Sequence, residues 1–367
     1  RQMCIRDRPI IYLNMVGGQD ELVFDGGSFV VNDLGEIIYQ ASSFKEEVFH
    51  LDIDLKTNKQ NDKSPLIIRP KTIELKDVES KASLSKNESI YSALKLGLKD
   101  YVRKNKFTKV LIGISGGIDS ALTAAICVDA LGAENVIGVA MPSKYNSKDS
   151  LDDAIKLSDN LGITLKTIEI EKLVDDFRET LTNSLNEDLG QITDENIQSR
   201  VRGNILMGLS NQTGAMVVST GNKSEMAVGY STLYGDLAGG FALIKDLYKT
   251  KVYELSNYIN SIFDAIPKNI ITKEPSAELR PNQFDSDSLP DYEVLDKILN
   301  LYIEEDSSSE KIIASGVDPN LVFDVLEKVD RNEYKRKQVA PGVKLTQKAF
   351  GKDRRMPITN TYIRQKE

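Results

Sequence analysis

The chain has 367 residues, of which 40% are hydrophobic and 28% charged, a size that can bury a substantial core and suggests roughly two domains. Its formal net charge of −8 argues against a surface that coats nucleic acid, because phosphate neutralisation needs clustered lysine and arginine. The two cysteines, Cys4 and Cys127, exclude a disulfide scaffold and lack the CxxC spacing of a thiolate metal or redox centre.

Other features of the sequence narrow the class further. No segment approaches the ~18 consecutive apolar residues of a membrane span, and the N-terminus lacks a signal pattern. The single histidine, His50, lies in strand-like alternation, which favours a solvated position over serine-histidine or cysteine-histidine catalysis. We therefore expect a soluble, cytoplasmic protein with neither a membrane nor a nucleic-acid partner.

The first part of the chain has a β-rich pattern. Residues 10–13 and 28–31 are apolar and extended, with glycine-containing turns between them. From residue 56 to residue 87 the chain becomes polar, lysine-rich and punctuated by two prolines, a composition typical of a linker. We therefore predict a small β-rich domain at 1–55, a linker at 56–87 and a main domain at 88–367.

The main domain alternates between strand and helix patterns. Apolar runs typical of strands inside a parallel sheet occur at 109–114, 135–141, 163–170 and 215–220. Helical spacing between them predicts helices at 88–101, 120–131, 150–161 and 193–210. Ser150 and Asp153 are expected to form a capping box for the third helix. This rhythm predicts an α/β fold, a doubly wound, mostly parallel sheet with flanking helices.

The most informative segment is Ser115-Gly116-Gly117-Ile118-Asp119-Ser120, which follows the first parallel strand and opens a helix. Sheets of this type bind phosphates at such a position. The glycines let backbone N–H groups approach phosphate oxygens, and the serines can donate hydroxyl hydrogen bonds. Asp119 suits this place if a magnesium ion bridges its carboxylate and a pyrophosphate. An ordinary tight turn is the competing interpretation, which the flanking strand and helix disfavour.

The same turn lacks the GK[ST] ending of a Walker A loop, which disfavours simple γ-phosphoryl transfer. It resembles the loop of the ATP pyrophosphatases, whose fold is adenine nucleotide alpha hydrolase-like. Later blocks are similar to those of the NAD⁺ synthetases: ENIQSRVR at 195–202, STGNKSE at 219–225, YGD at 234–236, KEPSAELRP at 273–281, YKR at 334–336, APG at 340–342 and AFG at 349–351.

A second resemblance lies upstream. Residues 14–26, NMVGGQDELVFDG, are similar to the closing part of the nitrilase-like glutaminase domain of glutamine-dependent NAD⁺ synthetases. The Glu-Lys-Cys machinery of such a glutaminase would lie upstream of this fragment. Residues 1–8 do not look like the family, which suggests a truncated or mis-assembled coding sequence. We therefore expect ammonia, and not glutamine, to supply nitrogen to this chain, and glutamine to supply it in a full-length parent.

The resemblance implies an activity. NAD⁺ synthetases amidate deamido-NAD to NAD at the expense of ATP, through an adenylated intermediate that releases AMP and pyrophosphate. ATP is then a co-substrate, Mg²⁺ a cofactor, and deamido-NAD and ammonia the partners, with a homodimer or higher homo-oligomer as the expected assembly. No side chain is needed as a covalent nucleophile, so we assign no catalytic residue.

The resemblance also implies site residues. ATP would be held by the turn and three later side chains: Gly113, Ile114, Ser115, Gly116, Gly117, Ile118, Asp119, Ser120, Thr220, Lys249 and Ser276. The dinucleotide would be contacted by Asn196, Arg200, Glu225 and Lys335. Asp119 and Glu225 would hold the magnesium ion. Without the motif, Lys249 would be interpreted as a solvated helix lysine and Glu225 as a first-turn helix glutamate.

Two alternatives from the sequence remain open. The chain could be another ATP-pyrophosphatase amidotransferase, such as a GMP synthetase, because several branches share the loop. It could also be an inactive nucleotide-binding subunit. Formation of AMP that depends on deamido-NAD would separate an enzyme from a binding subunit.

Overall fold

The computed structural model describes residues 9–51 and 84–359. The chain divides into two compact units, Arg1–Gly17 with Val23–Lys86 and Gly18–Leu22 with Asn87–Glu367. The predicted linker at 56–87 lies almost wholly outside the described residues, as does Cys4, so the domain boundaries remain predictions. In the described part of the chain, no helix is long and apolar enough to cross a membrane.

The first unit is built from short antiparallel strands, as the β-rich pattern predicted. Strands β1 (Ile10–Tyr12), β4 (Phe29–Val31) and β5 (Ile37–Gln40) form a sheet in the order β1-β4-β5. Strands β2 (Val16–Gln19) and β3 (Leu22–Asp25) form a separate two-stranded sheet, and their residues are divided between the two units.

Residues 48–51, the described part of the strand-like alternation around His50, form no strand. His50 is exposed in an irregular segment, while its neighbours Phe49 and Leu51 pack on the buried side chains of Val30 and Tyr39. In the described residues the alternation therefore corresponds to partial burial of Phe49 and Leu51 on either side of the exposed His50.

The second unit contains the predicted parallel sheet. Its strands are β6 (Val110–Gly113), β7 (Val136–Ala140), β8 (Thr164–Thr167), β9 (Met216–Ser219) and β10 (Phe241–Ala242). Their order is β10-β9-β6-β7-β8, and every neighbouring pair is parallel. After β6 the chain winds outward through β7 and β8 and then returns to β9. The strand order therefore switches between β6 and β9, where open α/β sheets bind ligands.

Helices surround this sheet and extend beyond it. They are α1 (Lys86–Lys104), α2 (Ile118–Leu131), α3 (Lys148–Leu161), α4 (Glu171–Leu185), α5 (Gln191–Thr213), α6 (Lys223–Val228), α7 (Lys249–Ile262), α8 (Lys268–Thr272), α9 (Tyr292–Leu299), α10 (Ser309–Ala314), α11 (Pro319–Arg331) and α12 (Glu333–Arg336). Short 3₁₀ turns occur at Ala133–Asn135 and Asp285–Asp287, and a π-helical segment at Asn300–Glu304. The predicted α/β fold is confirmed.

The capping box predicted for the third helix is wrong. Helix α3 begins at Lys148, and its cap is Ser147, whose Oγ accepts a hydrogen bond of 3.2 Å from the backbone N–H of Ser150. Ser150 is thus the third helical residue, and its own hydroxyl is free to bond elsewhere. Ser147 caps the helix without a capping box, because the third helical residue is a serine.

Helices α9 and α11 form a separate apolar core that supports α6. Leu295, Ile298, Val325 and Leu326 are fully buried there together with Ala227 of α6. Helix α6 has six residues and cannot be stable alone, so this packing holds it in place. The sheet and this second core together fix the first turns of α2 and α6 at the switch point.

Candidate nucleotide-binding site

A cavity of about 310 Å³ opens at the carboxyl ends of β6, β7 and β9. All eight residues of the predicted phosphate-binding segment line it: Gly113, Ile114, Ser115, Gly116, Gly117, Ile118, Asp119 and Ser120. Thr220, Glu225, Lys249 and Ser276, predicted from distant parts of the chain, also line it. The fold thus brings twelve predicted site residues to one cavity.

Two serines of the turn between β6 and α2 stabilise it through hydrogen bonds to its own backbone. Ser120 Oγ donates to the carbonyl of Gly117 at 2.9 Å, and Ser115 Oγ accepts from the N–H of Gly117 at 3.2 Å. Gly116 has φ of +80°, and a Cβ there would lie 2.2 Å from the carbonyl oxygen of Ser150. Both the backbone conformation and the close approach therefore require glycine at this position.

The first turn of α2 offers backbone donors to the cavity. Its cap residue is Gly117, and among the described residues no side chain caps it. The first N–H groups of a helix lack partners within the helix, and their dipole favours a negative charge. An uncapped 14-residue helix that begins in a cavity is suited to bind phosphate oxygens.

A buried ion cluster lies beside this turn. The ammonium of Lys249, whose side chain is 3% exposed, lies 2.5 Å from Asp119 Oδ2 and 3.8 Å from Glu225 Oε1. The amide Nδ2 of Asn222 donates to Asp119 Oδ1 at 2.9 Å. Burial lowers the pKa of Lys249, but the carboxylates of Asp119 and Glu225 outweigh burial and raise it above its usual value. The lysine therefore carries its full charge.

The second carboxylate of the cluster resists ionisation. Burial, followed by the negative charge of Asp119, raises the pKa of Glu225 to about 8, and Lys249 compensates only in part. Burial also raises the pKa of Asp285, which accepts hydrogen bonds from the hydroxyls of Tyr292 at 2.8 Å and Tyr230 at 3.2 Å. Full ionisation of these carboxyl groups would place more negative charge here than one lysine neutralises, so an additional cation would favour their ionised forms.

Asp119 and Glu225 suit magnesium. Both present hard carboxylate oxygens to the cavity, and Mg²⁺ usually takes only one or two carboxylates together with substrate phosphates. Across residues 9–51 and 84–359 no group of three or more histidine, cysteine, aspartate or glutamate side chains is placed to hold a metal ion. A magnesium ion at this site would complete its coordination with oxygen ligands from water or from a bound phosphate.

A loop over the cavity is fastened by Glu278. Its Oε1 accepts from Ser150 Oγ at 2.6 Å and Lys273 Nζ at 3.0 Å, and its Oε2 accepts from Asn146 Nδ2 at 2.7 Å. Burial opposes ionisation, but these donors keep the pKa of Glu278 below its usual value. Because Ser150 also abuts Gly116, the carboxylate links the loop that carries Ser276 to the phosphate-binding turn.

The structure adds one residue that sequence reasoning missed. Arg202 lines the cavity, with Nε donating to the carbonyl of Met141 at 3.1 Å and one terminal nitrogen donating to Asn146 Oδ1 at 3.2 Å. Burial lowers the pKa of its guanidinium to about 10. Arg202 lies one helical turn from the fully buried Gln198, and that i,i+4 spacing was the signal available in the sequence.

The remaining predicted substrate residues lie outside this lining and meet elsewhere. Asn196 Oδ1 accepts from the hydroxyl of Thr232 at 2.7 Å, and Arg200 Nε donates to the carbonyl of Leu233 at 3.2 Å. Lys335 Nζ donates to the carbonyl of Gly229 at 2.7 Å. All three thus converge on the segment 229–236, which leads to the cavity-lining Asp236. Their substrate contacts stay predictions.

A doubly wound α/β sheet with a phosphate-binding turn at its switch point defines a nucleotide-binding domain. The family model described as NAD synthase matches residues 90–339 of the chain. The chain therefore belongs to the NAD synthase family.

Individual relatives agree with this membership. The glutamine-dependent NAD(+) synthetase of Thermotoga maritima is 50% identical over 96% of this chain and 64% of its own length. The structure of glutamine-dependent NAD+ synthetase from Acinetobacter baumannii, in complex with ADP, is 46% identical over 97% of this chain and 63% of its own, with a TM-score of 0.67. The NH3-dependent NAD synthetase from Campylobacter jejuni is 29% identical, with a TM-score of 0.56 over 69% of this chain and 96% of its own. The chain thus spans less than two thirds of the glutamine-dependent relatives.

Proposed function

We propose that this chain carries the ATP-dependent synthetase activity of a glutamine-dependent NAD⁺ synthetase and amidates deamido-NAD to NAD. The observation that carries the proposal is the uncapped N-terminus of α2 beside the Asp119–Lys249 ion pair in one cavity. The family match at 90–339 supports this reaction over that of a GMP synthetase. An inactive nucleotide-binding subunit remains the alternative that an assay must exclude.

ATP would lie with its phosphates on the turn Ser115–Ser120. The backbone N–H groups of α2 and the serine hydroxyls would bind phosphate oxygens, and Lys249 would provide a fixed positive charge at the reacting phosphate. Thr220 and Ser276 line the same cavity and would offer further hydroxyl contacts. Positioning by these fixed groups is the main source of rate acceleration in this proposal.

Magnesium would be held by Asp119 and Glu225. When bound, the ion would supply positive charge to the triphosphate and lower the cost of negative charge on the departing pyrophosphate. The raised pKa of Glu225 supports this assignment, because two carboxylates beside a single lysine are stabilised by an added cation. The contact with Lys249 at 2.5 Å holds the Asp119 side chain in place beside the cavity.

The reaction would then proceed in two steps. A carboxylate oxygen of the nicotinate forms a bond to the α-phosphorus of ATP while the bond to the bridging α–β oxygen breaks, which releases pyrophosphate. Ammonia next forms a bond to the carboxyl carbon, loses its extra proton to solvent and displaces AMP, which keeps the carboxylate oxygen. Activation is needed because a free carboxylate has no good leaving group. The adenylate provides one, AMP, so the proposal requires no protein nucleophile.

Ammonia would be the nitrogen source for this chain. A nitrilase-like glutaminase needs a reactive cysteine, and in the described part of the chain the free cysteine is Cys127, buried in α2, where burial raises the pKa of its thiol. We therefore propose that glutamine replaces ammonia only where a complete glutaminase domain is present. We further propose a cytoplasmic homodimer or higher homo-oligomer, in keeping with the thiol content and the family.

The deciding assay supplies the purified chain with ATP, Mg²⁺, deamido-NAD and either ammonium or ammonia-free glutamine. NAD, AMP and pyrophosphate should form in equal amounts with ammonium, and none should form when deamido-NAD is left out. Equal rates with the two nitrogen sources would contradict the assignment of the source. AMP release at the same rate with and without deamido-NAD would contradict the proposed reaction itself.

A further inference from the structure

Asn222 connects the two carboxylates of the ion cluster. It is fully buried and lies immediately before α6, where its Oδ1 accepts a hydrogen bond of 3.0 Å from the backbone N–H of Glu225. Its own backbone N–H donates in return to Glu225 Oε2 at 3.3 Å. Its amide nitrogen donates to Asp119 Oδ1 at 2.9 Å. A single side chain thus bonds to both α6 and the first turn of α2.

Capping alone does not explain an asparagine here. A helix N-cap needs only an acceptor, which serine, threonine, aspartate and asparagine all provide. Serine and threonine can also donate, but from the same oxygen that caps the helix; asparagine alone carries the acceptor and an NH₂ donor on separate atoms, so that it can bond to two groups in different directions. Aspartate would cap the helix equally well but would place another negative charge beside Asp119 and Glu225.

The amide holds Asp119 without neutralising it. Lys249 binds one oxygen of this carboxylate and Asn222 binds the other, so both oxygens of the Asp119 carboxylate are held in position. A second lysine in place of Asn222 would fix it too, but would cancel the negative charge that a cation needs. A neutral donor therefore suits a carboxylate that must stay available to a metal.

We propose that Asn222 is a positioning residue that sets the separation of the Asp119 and Glu225 carboxylates for a divalent cation bound with the nucleotide triphosphate. The inference rests on the proposed function for its ligand. It predicts that the two roles of Asn222 can be separated: the acceptor stabilises α6, and the donor tunes the affinity for the cation.

The test replaces Asn222 by a residue that keeps only the cap. In N222S the hydroxyl can still accept from the N–H of Glu225, while the amide Nδ2 that donates to Asp119 is removed and the shorter side chain carries no atom at its position. N222T serves as a second variant of the same design. Cation binding is measured by titrating Mn²⁺ into each protein with a non-hydrolysable ATP analogue and following free Mn²⁺ by electron paramagnetic resonance. Thermal unfolding of the nucleotide-free protein is recorded separately.

We expect N222S to unfold near the wild-type temperature and to bind Mn²⁺ about tenfold more weakly. N222A, which loses the cap as well, should unfold at a lower temperature and bind Mn²⁺ as weakly as N222S. The matched control is N260S, since Asn260 bonds to the backbone of Ile266 and does not line the cavity. N260S should leave Mn²⁺ binding unchanged.

Wild-type Mn²⁺ affinity in N222S and N222T would overturn the inference and reduce Asn222 to a helix cap. That result would leave the proposed function standing, provided the wild-type chain makes NAD from ammonium. A wild-type chain that binds Mn²⁺ with the analogue but makes no NAD would instead contradict the proposed function, and the Mn²⁺ titration of the variants would still decide the role of Asn222.

Discussion

Lys249 is the first residue of α7 and Asp119 lies in the first turn of α2, yet their charged groups meet at 2.5 Å inside the cavity. A lysine at a helix N-terminus is opposed by the helix dipole, and burial adds a desolvation cost. The ion pair offsets both effects. A buried lysine that the dipole of its own helix disfavours, and that lines a cavity, is better explained by binding of an anionic ligand than by a contribution to the stability of the fold.

Replacing this lysine should affect stability and activity differently. K249M leaves Asp119 and Glu225 facing each other without a cation, so we expect the free energy of unfolding to fall by about 3 kcal/mol. NAD formation should fall by about a hundredfold or more, because a preorganised charge is lost at the reacting phosphate. Urea denaturation and steady-state kinetics measure the two effects. Recovery of stability but not activity in D119N/K249M would support the account, and full activity of K249M would contradict it.

The Glu278 contacts predict a selective effect on ATP. E278A removes the acceptor shared by Ser150, Lys273 and Asn146, so the loop carrying Ser276 should lose its attachment to the phosphate-binding turn. We expect the KM for ATP to rise about tenfold, because these are charge-assisted hydrogen bonds, while the KM for ammonium stays unchanged. E254Q is a suitable control, since Glu254 forms an exposed ion pair with Lys251. An unchanged KM for ATP in E278A would refute the link.

Glycine should be required at position 116. G116A places a Cβ 2.2 Å from the Ser150 carbonyl oxygen at a φ of +80°. We expect a cost of about 1–3 kcal/mol in stability and loss of ATP binding, measured by thermal unfolding and calorimetric titration. The control is G208A on α5, where an added Cβ meets no atom within 4 Å. That change should stabilise the helix by about 0.5–1 kcal/mol. Equal stability and ATP binding in G116A and G208A would contradict the close approach of Gly116 to Ser150.

Asp285 should make stability depend on pH. Burial raises its pKa in the folded state above that of the unfolded chain, so the folded state holds the proton more tightly. Its contribution to stability is therefore present below the unfolded pKa of about 3.9 and is lost as pH rises through the folded pKa. D285N should flatten the decline in denaturation free energy over this range, whereas D287N, at an exposed ion pair, should not. Identical pH profiles of D285N and wild type would exclude Asp285 as the source.

The parts of the fold that were predictable depend on local sequence. The buried strands β6, β7 and β9 are continuous apolar runs, and the turn Ser115–Ser120 carries its glycines, serines and aspartate in six consecutive residues. Parallel strands and a phosphate-binding turn follow from such local patterns. Helix α4 was not predicted, although Val174, Phe177 and Leu181 recur at helical spacing, so the signal for this helix was present in the sequence and was missed.

Contacts between distant residues could not be predicted. Asn222 and Asp119 are 103 positions apart, and Glu278 and Ser150 are 128 apart, so only the fold shows that they meet. Arg200 and Arg202 are two positions apart on one helix, and the sequence alone favoured the one that faces away from the cavity. A helix turns by about 200° over two residues, so the choice between them depends on which face packs against the sheet.

The central claim is that the nicotinate carboxylate attacks the α-phosphate of ATP at the turn Ser115–Ser120. Deamido-NAD labelled with ¹⁸O in both carboxylate oxygens, incubated with the chain, ATP, Mg²⁺ and ammonium, tests it directly. Mass spectrometry should find one ¹⁸O atom in each AMP and none in pyrophosphate. Label in orthophosphate, or AMP without label, would contradict an acyl-adenylate route.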